Sequence, residues 1–112
     1  MGAVTIEYIR YGIALDAKAE FERDYARASA ALDASPHCLA YELAVCDDDP
    51  TQYVLRIEWD SAAGHMEGFR RSLQFREFLP HIQPYIKQIL EMRHYTPTAI
   101  AHVRVAPAAD AR

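Results

Sequence analysis

Acid–base chemistry near neutral pH points first to histidine, and this chain has five. Two of them have surroundings that give them something to act on. His65 lies one or two turns into the helical segment that leaves Trp59, so imidazole and indole can border one cavity. His94 falls on an apolar strand face with Leu90 and Met92. Tyr8, Tyr41 and Tyr53 offer hydroxyls that could orient a substrate. Phe69, Phe75 and Phe78 could form the walls, and Met66 could join them from its helix face. A neutral imidazole beside an aromatic pocket suits removal of a proton from a weakly acidic O–H or C–H. The same residues also suit a plain core, in which aromatics pack and a lone histidine is hydrogen-bonded. His37, His81 and His102 have no identifiable partner and read as surface residues.

Other chemistries lack their residues. No Cys-x-x-Cys, His-x-x-x-His or carboxylate cluster suggests a metal site, and no glycine-rich phosphate loop is present. No metal, flavin or nicotinamide is therefore expected, and the chain is read as cofactor-free. Two cysteines occur, Cys38 and Cys46. On one strand they would stand roughly 26 Å apart, at about 3.3 Å per residue, whereas a disulfide needs Cα atoms within about 7 Å. Two reduced thiols fit a cytoplasmic protein. The N-terminus has the pattern of a strand and not of a signal peptide, and no run reaches the length of a membrane span. The net charge of −4 shows no basic stripe for nucleic acid. Arg70, Arg71 and Arg76 come nearest to one and read as a solvated helix face.

The 112 residues suffice for one core, and 51% hydrophobic with 25% charged residues is an ordinary globular balance. Residues 3–11 are rich in β-branched and aromatic types and read as a strand. Asp16 can cap a helix reaching about Ala34, with Phe21, Tyr25, Ala28 and Leu32 on one face. Residues 37–46 and 51–59 read as a hairpin around Asp47-Asp48-Asp49-Pro50. Asp60 or Ser61 can cap a short helix to about Arg71, and Ser72 another over 73–79. Pro80 and Pro84 suit the starts of further helical turns. Residues 88–96 read as a fourth strand. The order β-α-β-β-α-β is the ferredoxin-like α+β arrangement: a four-stranded antiparallel sheet in order 4-1-3-2 with helices on one face. Residues 1–98 form this domain. Residues 99–112 read as a C-terminal tail, mobile or packed on a partner.

Alternation sorts the strands onto two faces. Val4, Ile6 and Tyr8, with Leu39, Tyr41, Leu43 and Val45, with Tyr53, Leu55, Ile57 and Trp59, and with Leu90, Met92 and His94, are expected to face the helices. The other face carries Glu7, Ile9, Tyr11, Cys38, Ala40, Glu42, Ala44, Val54, Arg56, Glu58, Ile89, Glu91, Arg93 and Tyr95. Its charges are interleaved with apolar residues, a mixture that marks an interface more readily than a solvated surface. A second copy packed through a two-fold axis would cover it, with Glu7, Glu42, Arg56, Glu58 and Arg93 in the contact.

The segment EWDSAAGHMEGFRRSLQFREF, residues 58–78, resembles the antibiotic biosynthesis monooxygenase family. The matching features are Glu58-Trp59 ending the third strand, a helix carrying His65, then Gly68-Phe69-Arg70, and Ser72 followed by Phe75. Leu73 stands where many members have proline. The resemblance implies a dimeric α+β barrel. It implies a cofactor-independent monooxygenase that oxidises a small quinol- or phenol-like aromatic with dioxygen, with His65 and His94 as the catalytic candidates. The haem-degrading branch of that family uses Asn, Trp and His together. This chain has no asparagine, its Trp59 lies on a strand, and His81 is out of register. A non-enzymatic ligand-binding dimer and a lactone isomerase-like proton-transfer enzyme are the alternatives on the same fold.

Overall fold

The third strand sets the frame of the structure. In the computed structural model, which describes residues 3–105, β3 spans Gln52–Trp59, and Tyr53, Leu55, Ile57 and Trp59 are buried on one face. Strand β1 (Thr5–Gly12) and strand β2 (Cys38–Val45) flank it antiparallel, and β4 (Ile89–Tyr95) completes the sheet beyond β1. The order β2-β3-β1-β4 is the ferredoxin-like order expected, read from the opposite edge. Residues 106–112 of the anticipated tail, and Met1 and Gly2 of the anticipated domain, lie outside the described residues. Among the described residues no helix is long and apolar enough to cross a membrane.

Helix α1 (Lys18–Ala34) lays Phe21, Tyr25, Ala28, Ala31 and Leu32 on the sheet. Each large side chain so buried contributes about 1.5–3 kcal/mol. Asp16 does not cap this helix. The chain enters through a 3₁₀ turn, Leu15–Ala17, and Ala17 occupies the cap position without a side-chain hydrogen bond. Helix α2 (Leu73–Ile82) begins as expected: the Phe75 N–H donates to Ser72 Oγ at 3.3 Å. It runs past Leu79 and keeps Pro80 inside it, so Pro80 starts no separate turn. Pro84 does open one, the 3₁₀ segment Gln83–Gln88.

The expected faces hold for β3 and for most of β2, but β1 is inverted. Opposed residues share a face, and the register pairs Thr5 with Trp59, Glu7 with Ile57, Ile9 with Leu55 and Tyr11 with Tyr53. Glu7, Ile9 and Tyr11 therefore face the helices, and Ile6 and Tyr8 lie on the open face. Two features explain the choice. The phase of Ile9, Tyr11 and Ile13 puts three large apolar groups into the core. The opposite phase would bury Arg10, which instead reaches Glu91 at 3.3 Å and Gln52 at 3.2 Å. Register shifts between Cys38 and Ala40, and between Arg10 and Tyr11, exchange the faces at two strand ends. Cys38 packs against the core while Leu39 is exposed, and Ile89 turns inward while Leu90 is exposed.

Candidate active site

The segment after β3 is built to aim side chains, not to extend a helix. The Ser61 hydroxyl accepts the Gly64 N–H at 2.8 Å and starts the turn. Gly64–Gly68 is one wide π turn, closed by the Phe69 N–H bonding back to the Gly64 carbonyl, and Phe69–Arg71 tightens to a 3₁₀ turn. A π turn brings residues five apart onto one face. Arg70 Nε accordingly donates to His65 Nε2 at 3.2 Å.

Glycine suits both ends of that turn because the His37–Asp60 pair lies against it. A Cβ on Gly64 would fall 1.8 Å from Asp60 Oδ1, and one on Gly68 would fall 2.4 Å from His37 Nε2. His37 is no free surface residue: it is half-buried, and Nδ1 is 3.0 Å from Asp60 Oδ2.

The turn presses His65 onto Trp59, rings parallel within 7° and centroids 4.4 Å apart. His65 is 2% exposed. With Nε2 accepting from Arg70, the ring proton sits on Nδ1 and is donated to His94 Nε2 at 2.9 Å. Burial first, then the charge of Arg70 and the neighbouring His94, push the His65 pKa down to about 4, so the imidazole is neutral at pH 7. Behind it Glu7, also 2% exposed, accepts the Trp59 indole N–H on Oε1 at 3.1 Å. That oxygen lies 3.5 Å from His65 Nε2. Burial raises the Glu7 carboxyl above its ordinary range, opposed by the Trp59 hydrogen bond and by His94 and Arg70.

These groups form the polar end of a cavity of about 200 Å³ between sheet and helices. Glu7, Trp59, His65 and Arg70 line that end. Ile9, Ile57, Phe75, Phe78, Ile82 and Met92 are among the apolar residues that line the rest. Arg70 is held with its guanidinium 5.5 Å from the Phe75 ring centroid. Glu7, His65 and His94 each bring a donor atom within 4.8 Å of the others, a spacing a divalent cation could bridge. The permanent charge of Arg70 on the same imidazole opposes a cation there, and the set reads as a hydrogen-bond chain.

Of the residues singled out in the sequence, Trp59, His65, Phe69, Phe75 and Phe78 meet at this cavity, and His94 stands behind His65 and is exposed. Four do not line it. Tyr8 is on the opposite sheet face, its hydroxyl accepting from Arg56 Nε at 3.3 Å, because β1 is inverted. Tyr41 faces α1, where its hydroxyl donates to Asp33 at 2.7 Å. Tyr53 packs on Phe21, centroids 4.8 Å apart, and donates to Glu22. Met66 is 49% exposed, because the π turn points it outward. Glu7, placed by alternation in the subunit contact, is instead the most buried carboxylate of the site. Sequence reading missed Glu7, Arg70 and His37. The Ile9, Tyr11, Ile13 phase was the signal that could have exposed Glu7.

Comparison with known proteins agrees with this fold. Residues 6–80 match the family described as antibiotic biosynthesis monooxygenase. The Bacillus subtilis (strain 168) protein YczJ is 30% identical over 76 residues, covering 68% of this chain and 80% of that protein. A family member from Bordetella bronchiseptica superposes with a TM-score of 0.71 at 21% identity, covering 86% of this chain and 98% of that one. SnoaB from Streptomyces nogalater, a cofactor-independent oxygenase, superposes with a TM-score of 0.66 at 25% identity, covering 91% and 98%. The chain belongs to the antibiotic biosynthesis monooxygenase family.

Proposed function

We propose that this protein is a homodimeric, cofactor-independent monooxygenase acting on a small quinol- or phenol-like aromatic. One observation carries the reading: an apolar cavity closed at one end by the buried Trp59–His65–Glu7–Arg70 group. Its volume suits one substituted ring, since an apolar cavity of about 150 Å³ accepts benzene. The similarity to a cofactor-independent oxygenase supports the reaction type.

The chemistry balances without an external reductant when the substrate supplies every electron. A quinol loses its O–H proton, and the anion passes electrons to dioxygen. One oxygen atom enters a ring C–H to give a hydroxyquinone, and the other leaves as water. The protein contributes a proton acceptor, a cation beside the developing anion and exclusion of bulk water. Arg70 is that cation. The His65–His94 hydrogen bond links the cavity to the exposed edge of β4 and fixes the imidazole in place.

The open sheet face supports the dimer. Arg56 with Glu58 at 3.5 Å, and Arg93 with Glu91 at 2.6 Å, stand among Ile6, Ala40, Ala44 and Val54. A second copy would cover this mixture, with Glu42, Arg56, Glu58 and Arg93 in the contact and Glu7 outside it. Oxygen uptake by purified protein with a panel of hydroquinones tests the reaction, and uptake that depends on His65 is expected. The same buried polar group would also serve a proton-transfer isomerase, which turns over without oxygen. Activity under anaerobic conditions would identify that enzyme instead.

A further inference from the structure

One buried group of the cavity has a free atom. Glu7 Oε1 is occupied by the Trp59 N–H, but Oε2 has no hydrogen-bond partner among the described residues. Buried carboxyl oxygens are rarely left without a partner, and a bound ligand is one way to supply it. Most of the other polar groups are engaged, and Arg70, whose Nε is bound to His65, offers donors and no acceptor. His65 uses one ring nitrogen on Arg70 and the other on His94, so neither lone pair nor N–H is free for a ligand. The Trp59 indole N–H is committed to Glu7, and the Tyr11 hydroxyl to Tyr25. A substrate hydroxyl entering this cavity therefore has Glu7 Oε2 as its open acceptor.

We propose that Glu7 Oε2 receives the substrate hydroxyl and is the first proton acceptor of the reaction. This rests on the monooxygenase reading for the steps that follow. In the step itself the substrate O–H bond breaks and its electron pair stays on the substrate oxygen. A new O–H bond forms on Oε2, and the negative charge passes from the carboxylate to the substrate beside Arg70. The geometry also sets the substrate class. A neutral O–H donor fits, whereas an aromatic carboxylate would bring a like charge against Glu7.

The groups that face Glu7 are Trp59 from β3, His94 from β4, His65 and Arg70 from the turn, and Tyr11 on its own strand. Burial in their midst raises the carboxyl, which narrows its gap to a phenol and improves it as a base.

The test uses Glu7→Gln, which keeps an acceptor for Trp59 and removes the titratable oxygen. With methylhydroquinone, oxygen uptake should fall by about 10²–10⁴-fold while KM changes little. The acidic limb of the kcat/KM profile should vanish from the residual activity. Uptake within threefold of wild type would overturn the proposal. A second measurement needs no variant. Infrared difference spectra of wild type labelled with ¹³C-carboxyl glutamate are recorded on adding phenol, and again on adding benzoate. A carboxyl band that shifts with phenol alone supports Glu7 as the hydroxyl acceptor, even if no hydroquinone turns over, in which case only the monooxygenase reading fails. A carboxyl spectrum unmoved by saturating phenol overturns the proposal.

Discussion

The neutral burial of His65 has a consequence for stability that can be measured without knowing any substrate. In the unfolded chain its imidazole titrates near 6.5, and in the folded protein near 4. Above pH 6.5 both states are neutral and the native protein carries no penalty. As pH falls, the unfolded chain takes up a proton that the folded one refuses until about pH 4. Stability is therefore lost across that window, at 1.36 kcal/mol per unit, for a total of about 3 kcal/mol. At 2% exposure the group is shielded from solvent, so little of this is screened. Glu7 runs the other way: its raised carboxyl favours the folded state as pH falls. The causes of its shift are burial, Trp59, His94 and Arg70, not His65. Comparing wild type with His65→Gln at matched protein concentration subtracts the part of it that the two proteins share. Urea denaturation followed by far-ultraviolet circular dichroism from pH 7 to pH 4 gives the difference in unfolding free energy. That difference should move against wild type by about 3 kcal/mol. A difference constant within about 0.5 kcal/mol would show that His65 is not held neutral by its surroundings.

Gly64→Ala forces a Cβ to 1.8 Å from Asp60 Oδ1 and should cost about 1–3 kcal/mol, read as a lower thermal midpoint. Trp59→Phe removes the only donor to Glu7 Oε1 among the described residues and should destabilise by about 1–3 kcal/mol, with the acidic limb of any activity profile moving to higher pH. Arg56→Glu puts a third acid beside Glu58 and Glu42 on the open face and should shift the sedimentation profile from dimer toward monomer. A wild-type protein that sediments as a monomer at micromolar concentration would refute the dimer outright. Prolonged dialysis against a chelator should leave turnover within about twofold, because the Arg70 charge on His65 opposes a cation there.

The strands, the two main helices and their order were legible because alternation and helical spacing are strong over their lengths. The stripe Phe21, Tyr25, Ala28, Leu32 and the Ser72 cap read directly. The phase of β1 did not, because two apolar sets interleave there. Val4, Ile6 and Tyr8 look as buriable as Ile9, Tyr11 and Ile13, and only tertiary pairing shows that burying Glu7 against an indole N–H is less costly than burying Arg10. That one inversion moved Tyr8 out of the site and Glu7 into it. Arg70 was hidden for a different reason. Ordinary helical spacing puts a residue five positions from His65 on another face, and only the π turn over Gly64–Gly68 brings the two together. His37 lies far along the chain from the turn it braces, and nothing local marked it.

The proposed oxygenation needs nothing beyond substrate and dioxygen. Turnover of methylhydroquinone under ¹⁸O₂ by chelator-treated, flavin-free protein tests it most directly, with product and water both analysed by mass spectrometry. One ¹⁸O atom in each product molecule and one in water is the predicted result. Product without ¹⁸O, or turnover that appears only when flavin or a metal ion is added, would contradict it.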